Sequence, residues 1–136
     1  VTPSPRPRTD ACLLAFDYGT RRIGVAVGQG LTGTASPLRI VRVHNLRPDW
    51  DSISALIADW QPAALVVGLP LHADGSDSHS TQAVRRFIRQ LEGRYRLPVY
   101  AIDETLSSHA AAERTDGALD AVAAQIILET WFAHYV

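Results

Sequence analysis

The chain has no lysine and no methionine: all thirteen basic residues are arginine, and fourteen acids leave a net charge of −1 over 136 residues. A near-neutral chain has no global field with which to attract nucleic acid or an anionic membrane, so any contact with a polyanion has to come from local arginine clusters. A single cysteine, Cys12, excludes an internal disulfide. Set among strand residues, it reads as a buried structural thiol rather than a reactive one. No apolar run approaches the ~20 residues of a membrane helix, and no leader of charged, apolar and then small residues is visible, so a cytoplasmic protein without a membrane partner is expected. His44, His72, His79 and His134 share no metal-ligand spacing, which argues against zinc. No GKS or GKT follows the turn at Gly19, and the next segment alternates as a strand; a Walker-type nucleotide loop is excluded.

What is present has a clear order. Residues 1–10, VTPSPRPRTD, are proline-rich and without periodicity, and read as a disordered tail ahead of one domain spanning 11–136. Cys12 to Phe16 are too uniformly apolar for a half-exposed strand and suit a central one buried on both faces. Ile23, Val25 and Val27 alternate as a second strand, and Thr34 to Val43 extend as a third. Ile53, Leu56, Ile57 and Trp60 recur at helical spacing before Pro62, and the β-rich Ala64 to Val67 follows. The same unit repeats with Val84, Phe87, Ile88 and Leu91, then Pro98 and the strand Val99 to Ile102. A last helix places Leu119, Val122, Ala123, Ile126 and Ile127 towards the core. The order β-β-β-α-β-α-β-α predicts an α/β fold with a mixed five-stranded sheet, an antiparallel meander joined to parallel crossovers.

Acids stand at the ends of these elements. Asp17 closes the first strand, Asp103 and Glu104 close the last, and Asp120 opens the final helix. In this order the first and later parallel strands are neighbours, so acids far apart in sequence can converge. Clustered carboxylates repel one another and raise their own pKa values unless cations share the site. Hard oxygen donors suit magnesium or manganese, and a pair of such ions can serve phosphodiester hydrolysis. Asp103–Glu104 also suits a helix cap and Asp120 a helix dipole, and a purely structural role for Asp17 is the hardest of the three to sustain, because its strand is apolar on both sides.

FDYGTRRIGVAVG, LVVGLPLHADGSDS, AIDETLSS and LDAVAAQIILE, in this order and spacing, resemble the YqgF (RuvX) family of bacterial proteins over nearly the whole chain from Leu13. The resemblance implies a three-layer RNase H-like fold and a metal-dependent endonuclease, with Asp17, Glu104 and Asp120 as catalytic acids and metal ligands. Members are described as Holliday junction resolvases and as nucleases that mature the end of pre-16S ribosomal RNA. The implied partners are therefore pre-rRNA or branched DNA, with ribosomal precursor particles as a setting. Three departures stand out: Thr105 replaces a usual arginine, Ser108 a usual threonine, and ERTDGALD is a short link before Asp120.

Other residues take roles on that reading. Thr20, Arg21 and Arg22 sit in the first hairpin beside Asp17 as candidate phosphate contacts. GLPLHADGSDS is a turn and helix cap whose amides and Ser76 can hold a phosphate. Arg85, Arg86 and Arg89 form the polar side of the second helix, either a solvated face or a track for a nucleic-acid backbone, with Arg85 and Arg89 one turn apart. Asp116, in the short link, reads as solvent-exposed, and His109 as a surface helix histidine. Two other function classes remain beside the nuclease. A strand ending in Asp-x-Gly-Thr also opens actin- and hexokinase-like phosphotransfer folds, but those need two such domains. A catalytically idle nucleic-acid-binding module keeps the fold without the chemistry.

Overall fold

The first strand is apolar on both faces because helices cover it on both faces. The computed structural model describes residues 11–69, 79–103 and 119–135. Their elements are β1 (Cys12–Asp17), β2 (Arg22–Gln29), β3 (Thr34–His44), β4 (Arg47–Pro48), α1 (Trp50–Trp60), β5 (Ala64–Leu69), α2 (His79–Tyr95), β6 (Val99–Asp103) and α3 (Leu119–Tyr135). The sheet order is β4-β3-β2-β1-β5-β6. β1, β2 and β3 pair antiparallel, whereas β1–β5 and β5–β6 are parallel. The expected five strands are all present, with the two-residue β4 added at the edge.

Alternation along β1 divides the core in two. Leu14 and Phe16 join Leu65, Val67, Ile53, Leu56, Val84, Phe87 and Leu91 beneath α1 and α2. Leu13 and Ala15 join Val66, Ile102, Ile127, Leu128, Trp131 and Phe132 beneath α3. The result is three layers, helices on each side of one sheet. Aromatic contacts anchor the first side: Phe87 meets Phe16 edge-on at 5.7 Å and stacks on Trp50 at 5.8 Å. The Tyr95 hydroxyl shares a 2.8 Å hydrogen bond with that of Ser54, tying α2 to α1. Truncating a fully buried residue such as Leu14 to alanine would cost about 2–5 kcal/mol.

Three expectations need correction. Trp60, grouped with Ile53, Leu56 and Ile57 by helical spacing, is 42% exposed at the last position of α1. On α3, Ala123 is only half-buried, while Ala124, Leu128, Trp131 and Phe132, beyond the expected set, are buried. α3 packs on β1, β2, β3 and β5 together, so more than one narrow stripe of it is enclosed. Cys12 is half-buried rather than enclosed, and burial pushes its thiol pKa up. The proline-rich stretch 1–10 lies outside the described residues.

α3 comes close to the sheet where side chains are small. A Cβ on Gly28 would stand 2.6 Å from the Thr34 carbonyl oxygen and 3.0 Å from Leu128. Alongside, the Gln125 amide donates to the Ala35 carbonyl at 3.0 Å and the Ala35 N–H donates to Glu129 at 3.1 Å. Two side chains one helical turn apart thus occupy both backbone groups of Ala35.

Candidate active site

The carboxyl ends of β1, β5 and β6 lie at one edge of the sheet. Parallel pairing sets Phe16 beside Val67, and Leu69 beside Asp103, so Asp17 and Asp103 end their strands at nearly the same height with β5 between them. The pleat separates their directions. Asp17 follows the parity of Leu13 and Ala15 and falls on the α3 face. Asp103 follows Val99, which packs beneath α1 and α2, whereas Ile102 belongs to the α3 side. Both acids are half-buried, and each interacts with a neighbouring group.

Asp17 has glycines for sheet neighbours. Gly24 is its antiparallel partner on β2, and one step beyond the Phe16–Val67 pair Gly68 stands level with it on β5. Both glycines are buried. Neither sheet neighbour level with Asp17 therefore sets a side chain of its own beside the carboxylate. The chain turns away at Gly19, where a Cβ would stand 2.6 Å from the Arg22 carbonyl oxygen. Only a residue without a side chain fits that turn.

On the helix side, Asp120 is the second residue of α3. Along the same helix Ala124, Ile127, Leu128 and Trp131 are buried. A helix amino terminus favours a carboxylate by its dipole. Glu104, Ser76, Thr105, Ser108, His109 and Asp116, and the side chain of Asp120, lie outside the described residues. Among the described residues no group of three or more metal-ligating side chains is gathered.

The arginines fall into two groups. Thr20, Arg21 and Arg22 are exposed at the start of β2, and Arg85, Arg86 and Arg89 are exposed on α2. Arg21 and Arg22 line a hollow of about 330 Å³ together with Ile40 and Arg42 of β3. Arg42 was not singled out by the sequence. The alternation of Ile40, Arg42 and His44 against Val41 and Val43 marks a half-exposed strand, but only the pairing of Arg22 with Arg42 reveals which arginine is its neighbour. A second hollow, of about 400 Å³, lies at the opposite end of β1 and β2, lined by Cys12, Gln29, Thr34 and Trp60 among others, away from Asp17.

Comparison with known proteins identifies relatives in sequence and in fold. The family model described as "RuvX: Holliday junction resolvase" matches residues 11–134. A protein of Alcanivorax borkumensis, described as a candidate pre-16S rRNA nuclease, is 52% identical, with 89% of this chain and 95% of that protein covered. A Methylococcus capsulatus protein of the same description is 49% identical, with 95% and 93% covered. Among solved structures, Thermus thermophilus RuvC in complex with a Holliday junction substrate superposes with a TM-score of 0.57 at 16% identity, covering 91% of this chain and 94% of that one. The fowlpox virus Holliday junction resolvase gives 0.51 at 11% identity, covering 90% and 97%. These two likenesses show the shared RNase H-like fold.

Proposed function

The chain belongs to the RuvX (YqgF) family, and from that premise we propose that it is a cytoplasmic, divalent-metal-dependent endonuclease that cleaves phosphodiester bonds in the maturation of pre-16S ribosomal RNA. The observation that carries this reading is the near-full-length identity, 52% over 126 residues, to a relative described as a candidate pre-16S rRNA nuclease. The position of Asp17 supports it: a carboxylate at the mouth of a central strand, with Gly24 and Gly68 beside it on the sheet.

The donor chemistry fits magnesium or manganese. A half-buried carboxylate at a strand end, with glycines as its sheet neighbours, suits a hard cation that keeps several waters and shares phosphate oxygens with the protein. Asp17, Glu104 and Asp120 would hold the metal, either one ion or a pair. When bound, it supplies Lewis-acid polarisation of the phosphate and a more acidic water. The chain's own residues do the rest. Asp17 fixes the site to the end of a central strand whose interior is buried on both faces. Thr20, Arg21 and Arg22, beside the Gly19 turn, position the substrate backbone, with Ser76 and its loop as a further phosphate contact and Arg85 and Arg89 as a more distant one. Asp103, on the opposite face from Asp17, is assigned no ligand role.

Cleavage of branched DNA is the second reading, favoured by the RuvC likeness in fold. The deciding experiment incubates the purified protein with a precursor 16S rRNA fragment and with a four-way DNA junction, each with magnesium, with manganese and with chelator. Metal-dependent cutting of the RNA is expected. Cutting of the junction alone would transfer the assignment to DNA resolution, and no cutting of either would leave a binding module.

A further inference from the structure

β2, β3 and β4 carry a row of cations on the face they share with Asp17, and it continues outward from the candidate site. Gly24 pairs with Asp17 on one side and with Ile40 on the other, so Ile40 stands level with the carboxylate. One pleat further on, Arg22 lies directly opposite Arg42. Arg42, two residues past Ile40 on β3, is therefore about 7 Å along and about 10 Å across the sheet from Asp17. A further pleat outward, His44 lies opposite Arg47. Pro48 is buried beside Val43, so Arg47 and His44 point to the other face, the face of Arg42. Arg22, Arg42, His44 and Arg47 are all exposed.

The backbone of this corner is held in place. The Val43 N–H donates to the Arg21 carbonyl at 2.9 Å, and the Asp49 N–H donates to the Arg42 carbonyl at 3.0 Å. Asn45 and Leu46 form the β3–β4 turn with φ of 51° and 64°, which brings Arg47 back opposite His44. Arg22 and Arg42, directly opposed in the ladder, present two guanidinium groups together to a polyanion.

We propose that Arg42 and Arg47, continuing from Arg22, form a docking strip for the phosphate backbone of the nucleic-acid strand that flanks the cleavage position. This deepens the nuclease reading and rests on it. A strip across β2, β3 and β4 fits a strand leaving the Asp17 site towards the sheet edge, and backbone contacts of this kind position a substrate without reading its sequence.

The test measures binding of the full-length chain to a labelled single-stranded RNA, and to DNA of the same sequence, by fluorescence anisotropy in chelator between about 50 and about 200 mM salt. Arg42→Gln combined with Arg47→Gln is expected to lower the slope of log affinity against log salt by roughly 1.4, about 0.7 for each lost contact with a single strand. Arg94→Gln combined with Arg96→Gln, at the far end of α2, is expected to leave the slope unchanged. An unchanged slope for the Arg42/Arg47 pair, or an equal loss in the control, would overturn the strip. Because binding is measured without metal, the result stands apart from cleavage: loss of the nuclease reading appears as a parent that cuts nothing, failure of the strip as an unaltered salt slope.

Discussion

At the scale of single residues, cost and compensation explain the unusual choices. Asp17 is the sharpest case, a carboxylate ending a strand whose four preceding residues, Leu13 to Phe16, are all at most 1% exposed. It was legible in the sequence because nothing in an apolar strand calls for a charge. The adjacent acids Asp103 and Glu104 were not separable there, since the sequence shows both at a strand end and only the pleat assigns Asp103 to the face opposite Asp17. Asp49 is an ordinary structural acid by contrast. The Ser52 hydroxyl donates to it at 2.7 Å and the Ser52 N–H at 3.3 Å, which caps α1 and holds its carboxyl below the usual range. A lowered folded-state pKa means stability that is present above about pH 4 and fades as the pH falls through the lowered value. Asp49→Ala should therefore lower the melting temperature at neutral pH, and the gap to the parent should narrow in acid; a gap independent of pH would refute the cap. Leu46 holds a φ of 64° while 64% exposed, so Leu46→Gly forfeits little burial and relieves left-handed strain. A gain of about 0.5–1 kcal/mol in denaturant unfolding is expected.

Among the elements, strand order was readable and the edge was not. Apolar runs and helical spacing predict β1, β2, β3, β5 and β6 and their mixed pairing because each is a hydrophobic segment of the right length. β4 escapes that reasoning: Arg47–Pro48 is not strand chemistry, and it pairs only because two left-handed residues turn the chain back at Asn45 and Leu46. The register that pairs Arg22 with Arg42 is equally invisible in sequence, since it is set by the β2–β3 hairpin and the irregularity at Val25/Ala26. α3 misled the periodicity because it is enclosed by several strands at once, so Ala124 is buried where Ala123 was expected. Its grip on the sheet is testable. Gln125→Ala together with Glu129→Ala leaves both backbone groups of Ala35 without those side-chain partners and should cost about 2–4 kcal/mol, read as a lower denaturant midpoint with unchanged slope. An unaltered midpoint would show that water replaces both bonds freely.

Across the whole molecule, a net charge of −1 conceals an uneven arrangement of arginines. One group surrounds the Asp17 end of β2 and β3, and another lies along the exposed side of α2. If α2 also tracks the substrate, Arg85→Ala with Arg89→Ala weakens binding and flattens its salt dependence. An unchanged slope would leave those two arginines as a solvated helix face. No helix among the described residues is long and apolar enough to cross a membrane. The central claim is that Asp17 is a metal ligand of a nuclease site, and single-turnover cleavage of a precursor 16S rRNA fragment by the parent and by Asp17→Asn tests it most directly. The account predicts a loss of about a hundredfold or more in rate, the scale on which removing one electrostatic stabiliser acts, with RNA affinity in chelator retained. An Asp17→Asn protein that cuts the RNA as fast as the parent would contradict it.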